Sequence, residues 1–173
     1  MAKFPEQLHL PTDSMGVQTL KKAAWNERRS RSQANFFTIG YMQRDIGTFL
    51  GLLAEAGVLT ILDVRHAPVS MYKPDFSKTN LQRHLAVAGI DYIHSPQLGV
   101  PRDIRSKAVG METRSSIWEW YDEYVTPFVN LHAFLNSGTH PVALLCVELD
   151  PTSCHRHRLA MKLERQGLRG FDL

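Results

Sequence analysis

Short apolar runs alternate along the chain with longer segments in which apolar residues recur every three or four positions. The runs are typical of buried strands and lie at Phe36–Ile39, Val58–Val64, Ile90–His94 and Val142–Val147. Because a helical segment separates each run from the next, consecutive strands are expected to be parallel. The pattern predicts an α/β fold with three layers, a mainly parallel, Rossmann-like sheet of four or five strands flanked by helices.

Four helices are predicted from segments in which the apolar residues share one face. They span residues 45–57, 77–89, 115–135 and 152–163. Ser77 is the expected N-cap of the second helix, and Thr152 or Ser153 that of the last. The third, which is rich in aromatic residues, is expected to bend near Pro127, after a loop over residues 95–113.

The composition is that of an ordinary globular protein. The chain has 173 residues, of which 43% are hydrophobic and 21% charged, which excludes a disordered, collagen-like or repeat protein. The longest apolar run has six residues, whereas a membrane span needs about 20. With two cysteines and no apolar leader, the chain is expected to be cytoplasmic, with reduced thiols and no membrane partner.

Positive charge is concentrated in a basic N-terminal extension, residues 1–34, which precedes a single α/β domain at residues 35–173. The first 35 residues hold six Lys or Arg and three Asp or Glu, whereas the remainder holds 14 of each sign. One or two helical turns are predicted over residues 17–25. Such an arm is either a solvated extension that packs partly on the domain or a segment that binds nucleic acid.

Polar residues follow the predicted strands at their carboxyl ends, where parallel sheets bind ligands. Tyr41 follows the first strand, Asp63 and Arg65 the second, and Glu148 the last. Asp63 and Arg65 point to the same face of a strand, so they either form a structural ion pair or share a ligand. At its strand tip, the Glu148 carboxylate can act as an acid or base or orient a basic group.

A second group of candidates, Cys154, His155 and Arg156, lies at the start of the last helix. Helix amides and neighbouring cations favour a thiolate at Cys154. The same amides, together with Arg156, can hold a phosphate or carboxylate. The structural alternative is an inert thiol, with Arg156 paired to Glu148 or Asp150.

The other cysteine, Cys146, lies inside the last predicted strand and is interpreted as a buried apolar residue with no catalytic role. A zinc site made of Cys146, Cys154, His155 and His157 lacks the usual CxxC pair, so no metal is predicted. The sequence contains no dinucleotide-binding glycine motif, P-loop or serine-hydrolase motif, so it does not identify a cofactor.

Together these motifs resemble the bacterial and archaeal family called domain of unknown function 488. The resemblance runs from about Phe37 to the C-terminus and rests on five segments: Thr38–Tyr41, Asp63–Arg65 with Pro68 and Ser70, Phe76 with Leu81 and Leu85, Gly89–His94 with Leu98–Gly99, and Leu144–Glu148 with Cys154–Arg156. It implies an α/β fold with these motifs clustered at one edge, and it implies no particular reaction.

The chain departs from the family pattern at three places. Met71 follows Ser70 where members commonly have Arg, and Tyr41 stands in place of a His. Members often continue from the last helix into another strand, whereas this chain is expected to end without one, at residues 170–173.

The leading functional hypothesis is an enzyme or ligand-binding domain for an anionic substrate, such as a nucleotide, nucleic acid or phosphorylated metabolite. The candidate catalytic residues are Glu148, Cys154 and Asp63, and the candidate anion-binding residues are Arg65, Arg156, His155, Ser70 and Tyr41. Two alternatives stay open: a nucleic-acid-associated accessory protein that uses the basic arm, and a thiol or metal sensor that uses Cys154.

Overall fold

The computed structural model describes residue 26, residues 29–107 and residues 111–173. Strands β1 to β5 span Phe36–Gly40, Thr60–Asp63, Asp91–His94, Val142–Cys146 and Gly170–Asp172. Helices α1 to α6 span Ile46–Glu55, Lys78–Val87, Arg102–Lys107, Met111–Tyr124, Leu131–Leu135 and His155–Arg165. Each strand is thus separated from the next by at least one helix.

The five strands of the described chain form one parallel sheet in the order β3-β2-β4-β1-β5. The chain runs from β1 to β2 and β3 and then returns, placing β4 between β1 and β2. Gly40 lies opposite Cys146 and Asp63 opposite Leu145, so the carboxyl ends of these three strands are level. The predicted α/β fold with a parallel sheet is confirmed.

Two hydrophobic cores, one on each face of the sheet, account for the three layers. In β4, Ala143 and Leu145 face the core shared with α1 and α2, whereas Val142, Leu144 and Cys146 face the core shared with α6. All five side chains are buried. A strand buried on both faces is a continuous apolar run in the sequence, which is why the run predicted this strand.

Local chemistry sets the ends of the first helices. Asp45 Oδ1 accepts a hydrogen bond from the Thr48 amide at 2.7 Å, which satisfies one N–H group of the first turn of α1. Gly57, just beyond α1, has a φ of 66°, which glycine adopts without steric cost. Ser77 precedes α2 as predicted, but its hydroxyl contacts the main chain of Ser70 and makes no capping bond.

The region between β3 and β4 differs from the sequence prediction in two ways. Residues 95–113, predicted as a loop, contain α3 and the start of α4. The aromatic segment is interrupted rather than bent, because α4 ends at Tyr124 and a 3₁₀ turn containing Pro127 separates it from α5. Proline lacks the N–H group that a continuous helix needs at this point.

The start of α6 also differs from the prediction. Asp150 Oδ1 accepts hydrogen bonds from the amide and the hydroxyl of Thr152, at 3.0 and 2.8 Å. These bonds hold Thr152 and Ser153 in a 3₁₀ turn that precedes the helix. Cys154 is therefore the N-cap residue of α6, and neither Thr152 nor Ser153 caps it.

The expectation that no strand follows the last helix is wrong, because β5 pairs in parallel with β1. Gly170 lies opposite Phe36, and a Cβ at Gly170 would lie only 2.6 Å from the Phe36 ring. The Thr38 hydroxyl donates a hydrogen bond to the buried carboxylate of Asp172. A strand of three residues, two of which are Gly and Asp, is too short to show an alternating pattern.

The described part of the arm contacts the domain. Asn26 donates to the carbonyl of Asp172 at 2.9 Å and accepts from its amide at 3.1 Å, which covers the edge of β5. Arg29 donates to both carboxylate oxygens of Glu164, at 3.0 and 2.7 Å. The rest of the arm, including the turns predicted at residues 17–25, lies outside the described residues. Within the described ranges, no helix has the length and apolar character that crossing a membrane requires.

Candidate active site at the carboxyl edge of the sheet

An open cleft of about 730 Å³ lies at the carboxyl ends of β1, β2 and β4. Because β4 separates β1 from β2, the connections after β1 and β4 leave towards opposite faces of the sheet, which opens a crevice between them. The buried lining includes Tyr41, Arg65, Cys146 and Cys154. The more exposed lining includes His66, Arg105 and Trp118. Ligands of parallel α/β proteins bind at this position, so the cleft is the candidate site.

Beside the cleft, Arg65 and Asp63 form a buried ion pair. Arg65 Nε and Nη2 donate to the two carboxylate oxygens of Asp63 at 2.8 and 2.5 Å, and Nη1 donates to the Phe76 carbonyl at 2.8 Å. The Tyr92 hydroxyl donates to the same carboxylate at 2.6 Å. Burial opposes the charge on Arg65, but Asp63 outweighs it, and the pKa of Arg65 is raised. Of the two alternatives for this pair, the structure shows the ion pair.

Tyr41 stabilises the Arg65 side of the cleft. Its ring stacks on Phe76, with ring centroids 4.4 Å apart and planes 9° apart. The Arg65 guanidinium lies 5.2 Å from the centroid of the Tyr41 ring, a distance at which the cation is attracted to the aromatic face. Tyr41 is thus part of the cleft wall.

Between β4 and α6, two thiols, an imidazole and a carboxylate converge. Cys146 Sγ lies 3.5 Å from Glu148 Oε2 and 3.8 Å from His155 Nδ1, and Cys154 Sγ lies 4.0 Å from the same nitrogen. His155 Nε2 lies 2.9 Å from the Val64 carbonyl oxygen. We call Cys146, Glu148, Cys154 and His155 the thiol cluster. The sulfur and nitrogen atoms of its cysteines and histidine lie within 4.8 Å of one another, close enough to hold a metal ion.

Burial dominates the proton affinities in the thiol cluster. It raises the pKa of Glu148 to about 7, with a further contribution from Cys154. It also raises the pKa of Cys154 to about 12, with a further contribution from Cys146. Burial lowers the pKa of His155, but Cys154 and Glu148 outweigh it, and the net shift is upward. Desolvation outweighs the nearby His155 and Arg156, so burial disfavours the thiolate that the sequence predicted at Cys154.

Arg156 is 0% exposed and lies outside the cleft lining. It donates to the Glu148 carbonyl, to the next carbonyl along the chain at 3.1 Å, and to Asp172 at 3.3 Å. A Cβ at Gly40 would lie 1.8 Å from the same Glu148 oxygen, so β1 and this loop are in close contact. Arg156 holds the Glu148 loop in place, and its carboxylate partner is Asp172 rather than Glu148 or Asp150.

The cleft brings together most of the residues predicted from the sequence. Five line it: Tyr41, Arg65, Glu148, Cys154 and His155. Asp63 and Arg156 lie outside the lining in buried ion pairs, and the main chain of Ser70 is bonded to the Ser77 hydroxyl. Asp63 and Arg156 therefore act on the cleft through Arg65 and the Glu148 loop.

Among the other lining residues, sequence reasoning did not choose His66, Arg105 or Trp118, and it assigned Cys146 no catalytic role. Cys146 shares a strand face with Glu148, and this alternation is the signal that places both beside the cleft. Arg105 lies on α3, in a region predicted as a loop, so no strand end pointed to it. Trp118 belongs to the aromatic helix, and apolar residues at helical spacing usually pack into the core rather than line a site.

The fold and the cleft define an α/β protein with a candidate ligand site at the carboxyl edge of a parallel sheet. The chain belongs to the family described as Domain of unknown function DUF488, whose model matches residues 45–163, more than half of the chain. The match includes the Arg65 ion pair and the whole thiol cluster, whereas β1 and β5 lie outside it. No curated protein and no solved structure shows a significant match to the chain.

Proposed function

We propose that the cleft binds an anionic substrate, such as a nucleotide or a phosphorylated metabolite, and that the thiol cluster acts on it. One observation carries the proposal: exposed side chains able to donate hydrogen bonds to an anion and half-buried groups able to transfer protons line the same cleft. The exposed donors are Arg105 and His66, and the proton-transfer groups are Glu148 and His155. An anion held by the first pair would lie in the cleft that the second pair lines.

Arg105 is the main anion-binding residue in this proposal. Arg65 also lines the cleft, but the Asp63 carboxylate compensates its charge at hydrogen-bonding distance. Arg105 is exposed on α3, and a guanidinium there can form two parallel hydrogen bonds to a phosphate or carboxylate. His66 adds a second donor to the same lining.

An aromatic surface in the cleft favours a substrate that carries a ring. Trp118 is half-buried and lines the cleft, with the Arg158 guanidinium 5.9 Å from its ring centroid. Stacking of a nucleobase on such a side chain contributes about 1–3 kcal/mol. A nucleotide would therefore use both parts of the exposed lining, its phosphate at Arg105 and its base at Trp118.

Within the thiol cluster, Glu148 is the group placed for general acid or base catalysis. Its side chain lines the cleft, and its main chain is held by Arg156 and by the close approach of Gly40. A catalytic carboxylate works best from a fixed backbone, because misplacement by about 1 Å is costly. Asp63 has no catalytic role in this proposal, because it is fully buried in its ion pair and does not line the cleft.

The test is thermal denaturation of the full chain with inorganic phosphate, nucleoside mono- and triphosphates and a sugar phosphate, each alone. We expect at least one to raise the Tm and Arg105→Ala to weaken its binding about 10- to 100-fold, the effect of losing a charge-assisted hydrogen bond. Arg102→Ala is the matched control, since Arg102 is exposed on the same helix but lies outside the cleft lining. Equal effects of the two variants, or no stabilisation by any of these anions, would contradict the proposal.

The nucleic-acid accessory role depends on the arm, most of which lies outside the described residues. Two of its cations, Arg29 and Arg31, form ion pairs with Glu164 and Glu55 of the domain. These contacts favour packing on the domain over contact with phosphates. Loss of salt-sensitive oligonucleotide binding on deletion of residues 1–25 would favour the accessory role over the anion-binding function.

The thiol-sensor role requires an accessible thiolate. Cys146 and Cys154 are free thiols and both are buried, and burial raises the pKa of Cys154. A neutral, buried thiol is a poor nucleophile. These properties favour a role for the thiols within the cleft over a role as an exposed redox sensor.

A further inference from the structure

We propose that Cys146, Cys154 and His155 form a binding site for a divalent metal ion of the zinc class, with a fourth coordination position facing Glu148 and the cleft. The three side chains come from the end of β4 and the start of α6, where the fold brings their sulfur and nitrogen atoms within 4.8 Å of one another. The proposal is based on this geometry and does not depend on which substrate the cleft binds.

The observed distances are close to those of a tetrahedral ion. With Zn–S bonds of about 2.3 Å and Zn–N bonds of about 2.0–2.1 Å, sulfur and nitrogen ligands lie about 3.6 Å apart. The distances from His155 Nδ1 are 3.8 Å to Cys146 Sγ and 4.0 Å to Cys154 Sγ. Small movements of the side chains therefore suffice to place all three atoms around one ion.

The histidine is oriented as a metal ligand would be. Its Nε2 lies 2.9 Å from the Val64 carbonyl, an acceptor, so Nε2 carries the proton and donates it. The lone pair of the neutral ring is then on Nδ1, which lies 3.8 Å from Cys146 Sγ and 4.0 Å from Cys154 Sγ, while Cys146 Sγ also lies 3.9 Å from Nε2. Metal-binding histidines commonly donate their other N–H group to a carbonyl or carboxylate in this way.

A thiol–imidazole hydrogen bond explains only part of this arrangement. The Nδ1 atom of His155 has one lone pair and accepts from one S–H group, so without an ion the Cys146 thiol would donate to Glu148 Oε2 at 3.5 Å and the Cys154 thiol to Nδ1. An ion would contact both sulfurs and the nitrogen together. Two thiolates and an imidazole are soft and borderline ligands that favour zinc-like ions over magnesium or calcium.

The fourth position faces the cleft. Glu148 Oε2 lies 3.5 Å from Cys146 Sγ, close to the separation of two ligands on one ion, and Glu148 also lines the cleft. Three protein ligands with an open fourth position are the pattern of catalytic zinc sites rather than of closed structural ones. The sequence predicts no metal because seven residues separate the cysteines, and only the turn before α6 brings them together.

The experiment uses the full chain without a histidine tag, kept reduced and stripped of metal with a chelator. We expect it to bind one equivalent of Zn²⁺, and Co²⁺ to give the absorption bands of tetrahedral cobalt–thiolate coordination. Cys146→Ser, Cys154→Ser and His155→Gln should each weaken Zn²⁺ binding by more than about 100-fold, since changes outside the ligand shell already cost about 10–100-fold. His157→Gln on the same helix is the matched control and should retain the ion.

Substoichiometric Zn²⁺ uptake by the wild type, or a Co²⁺ spectrum without thiolate bands, would overturn the proposal. If the cysteine variants fail to fold, alkylation of the two wild-type thiols is measured with and without one equivalent of Zn²⁺. Protection of both thiols by Zn²⁺ would support the metal site, and alkylation that Zn²⁺ does not change would overturn it. The anion series is repeated with and without Zn²⁺. Anion binding without metal uptake refutes the metal site alone, and metal uptake without anion binding refutes the proposed function alone.

Discussion

Two arginines lie near the carboxyl edge of the sheet, Arg65 just after β2 and Arg156 in the first turn of α6, yet they have different surroundings. Arg65 is 4% exposed, lines the cleft and pairs with Asp63, two residues earlier in the chain. Arg156 is 0% exposed and reaches two carbonyls of the loop after β4 as well as Asp172 of β5. Arg65 thus belongs to one wall of the cleft, whereas Arg156 joins three segments of the fold.

The difference follows from what each guanidinium must do to be buried. Five N–H donors and a positive charge are costly to bury unless protein groups satisfy them. Asp63 and the Phe76 carbonyl satisfy Arg65 while leaving it in the cleft wall. Arg156 is a positioning residue, because its donors hold the main chain of Glu148. The same residue type at the same edge therefore has two roles, and its partners decide which.

Arg156→Met is expected to cause the largest loss of stability among the variants that test this comparison. It removes two hydrogen bonds to the loop and takes a cation away from the buried Asp172 carboxylate, so the free energy of unfolding should fall by about 3–5 kcal/mol. Arg65→Met should cost about 1–3 kcal/mol, because the Tyr92 hydroxyl and the amide of residue 65 still donate to Asp63. Urea unfolding of both variants measures the difference.

The control for Arg156→Met is the double variant that also carries Asp172→Asn. Removing both charges should recover part of the lost stability, since a lone buried charge costs more than a missing pair. Equal losses of stability in Arg65→Met and Arg156→Met would show that the two arginines do not differ energetically.

The sequence predicted the elements that carry a repeated signal. Strands buried on both faces are continuous apolar runs, and α1 and α2 have an apolar stripe and a polar residue at the N-cap. The Asp63–Arg65 pair could also be predicted, because alternation along a strand puts both residues on one face. Such features depend on neighbours in the chain, which a sequence shows directly.

The features that the sequence did not predict depend on contacts between distant segments. β5 is three residues long and is held by pairing with β1 and by Asn26, 146 positions away from Asp172. Cys146 faces a histidine nine positions away, and Arg105 reaches the cleft from a helix in a segment with little periodicity. The carboxylate that pairs with Arg156 is that of Asp172 on β5, so this ion pair also depends on the position of a distant segment.

Tyr92→Phe is the next test, and it acts on the Arg65 side alone. It removes the 2.6 Å hydrogen bond from the hydroxyl to the Asp63 carboxylate and leaves the ring in place. The expected loss is about 1–2 kcal/mol in the free energy of unfolding at neutral pH, below the full value for a charged acceptor because Tyr92 is half-exposed. Tyr72→Phe, at a residue 99% exposed, is the control. If both variants unfold alike, the Tyr92 hydroxyl adds nothing to the ion pair.

The smallest expected effect is a change in alkaline stability. Burial and the Asp63 charge raise the pKa of Tyr92 above its usual value of about 10. Above about pH 10 the unfolded chain therefore loses this proton while the folded chain keeps it, and the stability that the tyrosine contributes declines as pH rises towards the folded pKa. The stability difference between wild type and Tyr92→Phe should then shrink by at most about 1 kcal/mol per pH unit. Tyr121, whose pKa burial also raises, is present in both chains and cancels. Urea unfolding from about pH 8 to 11 measures the difference, and a value that stays constant over that range would mean that Tyr92 titrates alike in the folded and unfolded chains.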